Sequence, residues 1–325
     1  MQRELIDRIR ALMDEGVATR VLGWKNGEFF YDTEPAILAA DQLDQLVYDS
    51  FCGPNLSKYL IQEMPKLGEG EKLIALVKPC DSYSFNQLCT EHRIDKEKVY
   101  VIGVGCRGKI DVDKIRARGV TGITAIDEDG DTLTVHTLYG DEKIDRKDVL
   151  LNKCMACKGK EHKVSDEQLG ESEDTCVVDR FEQVKALEAM SAEERFAFWR
   201  SELSKCIRCN ACRNVCPACS CVKCVFDNPN TGVQNKAAAD DFEENLFHII
   251  RAFHVAGRCT DCGECSRVCP QGIPLHLLNR KFISDIDELY GDYQAGEEVG
   301  QRHPVINYTQ GDCEPSVVHE RGNNA

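Results

Sequence analysis

Several features that mark common classes of protein are scarce in this sequence. No apolar run approaches the roughly 18 residues that a membrane-spanning helix needs. The N-terminal residues are charged and lack the apolar region of a signal peptide. Basic residues number 40 against 55 acidic ones, and the net charge of −15 disfavours nucleic acid and anionic membrane surfaces as partners. We therefore expect a cytoplasmic protein with no transmembrane segment, and 325 residues leave room for two or three domains.

Motifs for catalysis are also missing. No nucleophile with a matching base, no phosphate-binding loop and no acid–base pair can be identified, so no catalytic residue is assigned. The segment Gly103-Val-Gly105 is not a dinucleotide-binding fingerprint, because it lacks the third glycine and leads into Cys106. The sequence therefore leaves open whether the chain is an enzyme in its own right.

Cysteine, in contrast, is abundant, with 19 residues. The cytosol keeps thiols reduced, so a disulfide scaffold is excluded for a cytoplasmic chain. We expect most of these cysteines to bind metal, and we expect the protein to work in the cytoplasm of an anaerobe.

Two cysteine runs in the C-terminal half share one spacing. Each reads C-x2-C-x2-C-x3-C-P, the bacterial ferredoxin signature for cubane 4Fe-4S clusters, at residues 206–217 and 259–270. Four-cysteine zinc sites also use C-x2-C pairs, but two complete runs with both prolines favour iron–sulfur clusters. The fourth cysteine of each run points away and binds the other cube. The expected ligands of cluster A are Cys206, Cys209, Cys212 and Cys269, and those of cluster B are Cys259, Cys262, Cys265 and Cys216.

The N-terminal half alternates between apolar strands and helices. Leu73–Val77 and Val99–Val104 read as buried strands, and helices are expected at residues 82–92 and 111–118. Such alternation predicts an α/β domain with a mainly parallel sheet covered on both faces. The other elements expected here are a helix over 1–16, a hairpin over 17–31, short helices over 41–50 and 56–64, and a hairpin over 123–138.

Cysteines follow both of these strands. Cys80 comes after the first strand and Cys106 after the second, and parallel sheets bind ligands at the carboxyl ends of their strands. With Cys154 and Cys157, a later C-x2-C pair, four thiolates could close around a third cube. The alternative is that Cys80 and Cys106 are buried small apolar residues, as free cysteines often are.

The C-terminal half is expected to be mostly helical. Ser191-Ala-Glu-Glu194 is a capping box that starts a helix leading to the first cysteine run. Apolar positions from Phe242 to Phe253 mark a helix of roughly sixteen residues that leads to the second run. We expect an α/β domain over residues 1–161, a polar linker over 162–178, an α-helical dicluster ferredoxin domain over 179–291 and an extended tail over 292–325.

Several cysteines lie outside these motifs. Three of them directly follow the first run and are either packing residues or ligands of another metal, namely Cys219, Cys221 and Cys224. In the second case Cys176 is a candidate fourth ligand. The remaining ones carry no motif and are Cys52, Cys89 and Cys313.

The N-terminal motifs occur in the order known from one family. They read Lys78-Pro-Cys80-Asp-Ser, Ile102-Gly-Val-Gly-Cys106 and Cys154-Met-Ala-Cys157. This order resembles the beta subunit family of the coenzyme F-420 (deazaflavin) hydrogenases and dehydrogenases, over residues 15–165. In that family the matching cysteines hold one 4Fe-4S cluster beside a flavin. The resemblance therefore implies a third 4Fe-4S cluster on Cys80, Cys106, Cys154 and Cys157.

The flavin-contacting parts of that family match less well. Its N-terminal Gly-Gly segment has no counterpart in residues 1–20, and residues 160–166 differ from the small-residue stretch after the C-x2-C pair. We therefore expect no FAD in the N-terminal domain.

Residues 205–279 resemble the α-helical two-cluster domains found in an iron–sulfur subunit of heterodisulfide reductase and in the iron–sulfur subunit of succinate dehydrogenase. Together the two resemblances imply an electron-transfer subunit of an anaerobic redox complex. The implied partners are flavoprotein, heterodisulfide-reductase-like, hydrogenase or formate dehydrogenase subunits. The alternative is a flavoenzyme subunit that itself oxidises or reduces a deazaflavin or NAD(P)H and exports the electrons through its clusters.

Overall fold

The computed structural model describes residues 1–227 and 241–306. Its helices are α1 (Gln2–Asp14), α2 (Ser57–Glu63), α3 (Pro79–Thr90), α4 (Val112–Ala117), α5 (Asn152–Met155), α6 (Glu182–Glu188), α7 (Ala192–Ser204), α8 (Ala211–Asn214), α9 (Asp241–Val255), α10 (Glu264–Arg267) and α11 (Leu275–Tyr290). Its strands are β1 (Arg20–Asn26), β2 (Thr33–Ala39), β3 (Leu46–Val47), β4 (Leu73–Val77), β5 (Val99–Val104), β6 (Ile123–Asp129), β7 (Thr132–Thr137), β8 (Gly140–Asp145) and β9 (Glu167–Leu169). No helix within the described ranges is long and apolar enough to cross a membrane.

A six-stranded sheet forms the core of the N-terminal half. Its order is β2-β1-β4-β5-β9, with β3 also paired to β1. Strands β1, β4, β5 and β9 run parallel, whereas β2 is antiparallel to β1. Every residue of β4 is buried, as its uninterrupted apolar sequence requires. The predicted α/β class is therefore confirmed, and both central strands have the predicted bounds.

Helix α3 begins directly after β4 and is buried on nearly all sides. One side packs on the sheet through Phe85 and Leu88. The other side meets the C-terminal half, where the hydroxyls of Ser84 and Thr260 lie 2.8 Å apart. At its end, Glu91 pairs with Arg258 across 2.6 Å between Oε2 and Nη2. This helix therefore fixes the two halves of the chain against each other.

Some elements differ from those predicted. The second hairpin strand begins at Thr33, after the expected 28–31, because Phe29 stacks on Tyr31 and Phe30 packs against Phe51 instead of pairing as a strand. Residues 40–45 form a 3-10 helix followed by β3, in place of one longer helix. The hairpin of β6 and β7 gains β8 as a third strand.

The polar segment 162–178 was expected to be a linker, yet it contributes β9 to the edge of the main sheet. Its acidic side chains explain the docking, since Glu167 pairs with Arg8 of α1 and Asp166 pairs with Lys96. Pairing of this kind depends on a distant strand edge and leaves no periodic signal in so short a segment. The domain bounds themselves stay a prediction.

In the C-terminal half, α9 packs against α7 and α11, and α11 also packs against α6. These helices also line an open apolar groove, to which α9 contributes Phe242, Leu246, Ile249 and Phe253. Residues 292–306 of the expected tail pack back on the chain. There Glu297 pairs with Lys163 at 2.9 Å. The rest of that tail, including Cys313, lies outside the described residues.

Candidate iron–sulfur centres

The two cysteine runs adopt the same backbone shape. The residues on either side of the second cysteine are left-handed in both, with φ of 56° and 62° at Arg208 and Asn210 and of 50° and 68° at Asp261 and Gly263. Left-handed conformations are uncommon for residues other than glycine and persist where the surroundings impose them. In each run a one-turn helix, α8 or α10, then carries the third cysteine. The two runs, which have the same cysteine spacing, thus also have the same loop conformation.

The cysteines expected to bind cluster A line one cavity. Three come from the first run and one from the second, namely Cys206, Cys209, Cys212 and Cys269. Leu203 and Trp199 of α7 pack around these cysteines together with Ile273. This arrangement agrees with a fourth ligand that crosses over from the other run, and the crossover itself stays a prediction.

The cysteines expected to bind cluster B also lie together. Cys216, the ligand predicted to cross over, packs with Cys259 beside Val255 of α9. Burial, reinforced by the nearby Cys216 thiolate, raises the pKa of Cys259 and Cys265 to about 12. Four thiolates so close together and so well buried need a compensating positive charge. Iron ions would supply that charge.

The four N-terminal cysteines meet at the carboxyl edge of the main sheet. Cys80 lies in the first turn of α3 after β4, Cys106 follows β5, and Cys154 and Cys157 lie in and just after α5. All four line a single cavity. Cys262, an expected ligand of cluster B, lines the same cavity.

Close backbone packing completes this cavity. A side chain at Gly105 would put its Cβ 2.4 Å from the carbonyl oxygen of Glu171, so only glycine lets the segment after β9 pass this close to the end of β5. That segment continues to Thr175, whose hydroxyl donates to the carbonyl of Cys154 at 3.0 Å. The segment 162–178, expected to be a linker, thus also lines the cavity.

Two lysines bring positive charge to the cavity. Lys153 is buried and pairs with Glu264 of α10. Lys158 donates to the carbonyl of Thr260 and lies 4.1 Å from the ring centre of Tyr83. Burial lowers the pKa of Lys158, and Asp261 works against that effect. Cations placed here would offset the negative charge of a thiolate-bound cube.

Helix α9 contributes functional candidates that the sequence did not reveal. His248 lines the cluster A cavity, and Cys206, Glu244 and His248 bring ligand atoms within 4.8 Å of one another. Neither ring nitrogen of the buried His248 has a hydrogen-bond partner in the described ranges. An unpartnered buried donor is costly, and the sulfur atoms of a cube could accept from it. The signal in the sequence was three polar residues, at 244, 248 and 251, along one side of an apolar helix.

The additional cysteines lie in different surroundings. The backbone N–H of Cys219 donates to the carbonyl of Cys216 at 3.1 Å, and the neighbouring Cys219 thiol holds the pKa of Cys216 below its ordinary value. Cys176 is exposed, and its thiol donates to the carbonyl of Val178 at 3.2 Å. In the described part of the chain, no three sulfur atoms of Cys176, Cys219, Cys221 and Cys224 lie mutually within 4.8 Å. Cys52 and Cys89 pack in the core of the N-terminal half.

Comparison with known proteins agrees with this geometry. Residues 202–273 match the family of 4Fe-4S dicluster domains. The residues present fit such clusters, since thiolates, buried cations and the unpartnered imidazole of His248 converge on the two C-terminal sites. The chain is thus of the iron–sulfur electron-transfer class.

The full chain also has curated relatives. It is 22% identical over 344 residues to the F420-dependent formate dehydrogenase subunit beta of Methanocaldococcus jannaschii, covering 86% of this chain and 88% of the relative. It is 26% identical over 287 residues to the F420-dependent formate dehydrogenase 1 subunit beta of Methanococcus maripaludis, covering 68% and 73%. These relatives confirm the resemblance predicted from the cysteine motifs.

Among solved structures, the chain is similar to one chain of the F420-reducing [NiFe] hydrogenase complex from Methanosarcina barkeri. The TM-score is 0.38 at 10% identity, with 61% of this chain and 84% of that chain covered.

Proposed function

We propose that this chain is a three-cube relay subunit of an anaerobic redox complex. The third cube is bound by Cys80, Cys106, Cys154 and Cys157, and clusters A and B are bound by the two crossed runs. Single electrons pass between the N-terminal cube and cluster A by way of cluster B. The potential of each cube is tuned by hydrogen bonds to sulfur, by charge and by exposure.

The position of Cys262 carries this proposal. It is an expected ligand of cluster B, and it lines the cavity formed by the four N-terminal cysteines. A cube in that cavity would therefore lie next to cluster B. Cys212 and Cys265, expected ligands of clusters A and B, pack in one apolar group. The three sites thus form a continuous row from the sheet edge to α7.

The partners follow from the relatives. Both are named as beta subunits of formate dehydrogenases, so we infer that this chain exchanges electrons with a formate dehydrogenase or a related hydrogenase or heterodisulfide-reductase-like subunit. The complex would act in the cytoplasm.

Iron analysis of two matched variants tests the third cube. Cys80 and Cys89 lie in the same helix, α3, but only Cys80 faces the cavity. Full-length chains would be purified without oxygen. Wild type should hold about twelve irons, Cys80→Ser should lose about four of them, and Cys89→Ser should keep all, since each cube holds four. An unchanged iron content in Cys80→Ser would reject a cube at these four cysteines.

A second function is favoured by the names of the relatives, which are F420-dependent. In this case the N-terminal domain itself oxidises or reduces a deazaflavin and exports the electrons through its clusters. The missing Gly-Gly segment predicts that acid treatment of the purified chain releases no FAD. One equivalent of FAD for each chain, together with bleaching of the clusters by reduced F420, would favour this second function over the relay.

A further inference from the structure

Helix α9 exposes several apolar side chains and buries three polar ones beside its buried apolar residues. Phe242 and Phe253 are 71% and 62% exposed in the groove, whereas Glu244, His248 and Arg251 are nearly inaccessible. Helices in a folded chain normally turn their apolar stripe inward. The three buried polar side chains indicate that polar groups lie behind α9, and cysteines of both runs lie on that side.

Arg251 is the permanently charged cation among these three residues. Only 3% of the residue is exposed, and its Nη2 donates to the carbonyl oxygen of Cys212 at 3.0 Å. Its Nε has no hydrogen-bond partner in the described ranges, and no carboxylate there forms an ion pair with it. A buried, unpaired cation would be strongly destabilising. Some other negative charge must therefore stabilise it.

The other arginines near the cysteine runs show the contrast. Each is paired with a carboxylate, and the pairs are Arg208 with Glu244, Arg213 with Asp227, Arg258 with Glu91, Arg267 with Glu264 and Arg280 with Asp261. Their charges are largely neutralised by those carboxylates. The charge of Arg251 remains available to the metal sites.

The groups that do face Arg251 belong to both sites. Its guanidinium donates to the carbonyl of Cys212, and Cys212 packs with Cys265 in one apolar group. Val255, one turn further along α9, packs against Cys216. Cys212 is an expected ligand of cluster A, whereas Cys216 and Cys265 are expected ligands of cluster B. One guanidinium thus lies against ligands of two cubes.

We propose that Arg251 is the shared counter-charge of clusters A and B, raising the reduction potential of both. This inference rests on the proposed ligand sets of those clusters. Each cube becomes more negative by one charge on reduction, so a fixed positive charge beside it favours the reduced state. Arg251 does not bind iron. It places a fixed positive charge beside the cysteine ligands of both cubes.

Redox titration of the full-length chain, followed by electron paramagnetic resonance (EPR), tests this role. Arg251→Gln removes the charge and Arg251→Lys keeps it. The Gln variant should lower the reduction equilibrium constant of both C-terminal cubes at least about tenfold, equivalent to about 59 mV for one electron, and leave the N-terminal cube unchanged. The Lys variant should stay near wild type. Arg200→Gln, which removes an exposed arginine from α7, should shift neither cube.

Three results would overturn the proposal while the clusters themselves are intact. They are unchanged potentials in Arg251→Gln, a shift in only one of the two cubes, and an equal shift in the Gln and Lys variants. Iron content and EPR spectra of the wild type separate these outcomes from a failure of the relay function, which would appear as missing cubes. If Arg251→Gln fails to assemble, normal assembly of Arg251→Lys still supports a requirement for charge. If neither variant assembles, the proposal is rejected, because the site would then require the shape of arginine and not only its charge.

Discussion

Two buried acids flank Cys262, and each is shared by two cations. Asp261 accepts from Arg180 at 2.7 Å and from Arg280 at 3.1 Å. Glu264 is paired in the same way with Lys153 and Arg267. Each group of three charges therefore carries one net positive charge, and Asp261 and Lys153 line the N-terminal cavity beside Cys262. The Glu264 group also joins the two halves of the chain, because Lys153 lies in α5 and Glu264 in α10.

Replacing Glu264 with Gln should destabilise the chain. Burial alone would raise the pKa of Glu264, but Arg267 and Lys153 hold that pKa well below its ordinary value. The stabilisation is therefore complete above the ordinary glutamate pKa of about 4.3 and is lost as the pH falls toward the lower folded value. Removing one partner of a buried pair costs about 3–5 kcal/mol, so a loss of this order is expected at neutral pH.

The measurement is the urea concentration at which half of the visible cluster absorbance is lost, read without oxygen from pH 7 down to pH 4. Glu264→Gln should require less urea than wild type by a nearly constant margin over this range, because the stabilisation is lost only below about pH 4.3. Glu288→Gln changes an exposed acid and serves as the control. Equal midpoints for the Glu264 variant and wild type would show that the ion pairs do not contribute to stability.

At the scale of elements, α3 and α7 position the metal sites from opposite ends of the row. The first turn of α3 carries Cys80, and its last residues approach the C-terminal half. Helix α7 ends at the first cysteine run, with Leu203 and Trp199 packed around the ligands of cluster A. A substitution at the N-terminal end of α7 should therefore change the stability of the protein without altering a cluster ligand.

Ser191 begins α7 with a complete capping box. Its hydroxyl accepts from the N–H of Glu194 at 3.2 Å, and the Glu194 carboxylate accepts from the N–H of Ser191 at 2.9 Å. Ser191→Ala should lower the free energy of unfolding by about 1 kcal/mol. Ser201→Ala, at an exposed position inside the same helix, should have almost no effect. Urea unfolding followed by circular dichroism compares the two, and equal midpoints would mean that the cap is dispensable.

At the scale of the whole molecule, the sequence predicted what depends on local pattern. Leu73–Val77 and Val99–Val104 were found because an apolar run bounded by turns is a strong signal. The spacing of the cysteine runs gave the candidate ligands, since a cube restricts how its thiolates are separated along the chain. To predict the third set of ligands, we also had to use the rule that parallel strands have their carboxyl ends at the same edge of the sheet.

The rest depended on contacts between distant parts of the chain. Strand β9 lies in a polar segment whose pairing with β5 is decided by tertiary structure. The apolar positions of α9 predicted a helix correctly, but apolar residues of this kind normally face a core. Phe242 and Phe253 instead face the groove, and Arg251 donates to the carbonyl of Cys212. The burial of Arg251 is explained only when both cysteine runs are placed behind the helix.

The row of three sites makes a prediction that iron analysis alone does not test. Reduced cubes have unpaired spins, and neighbouring cubes broaden each other's EPR signals. Because Cys262 lines the N-terminal cavity, the fully reduced wild type should show interaction between the N-terminal cube and cluster B in addition to that between clusters A and B.

Removing the N-terminal cube with Cys80→Ser should abolish the first interaction and keep the second. Cys89→Ser, in the same helix, should give the wild-type spectrum. The test is the difference spectrum, obtained by subtracting the EPR spectrum of Cys80→Ser from that of wild type. If it equals the sharp signal of one isolated cube, the third cube is present but too far from cluster B, and electrons would need another route out of the N-terminal domain.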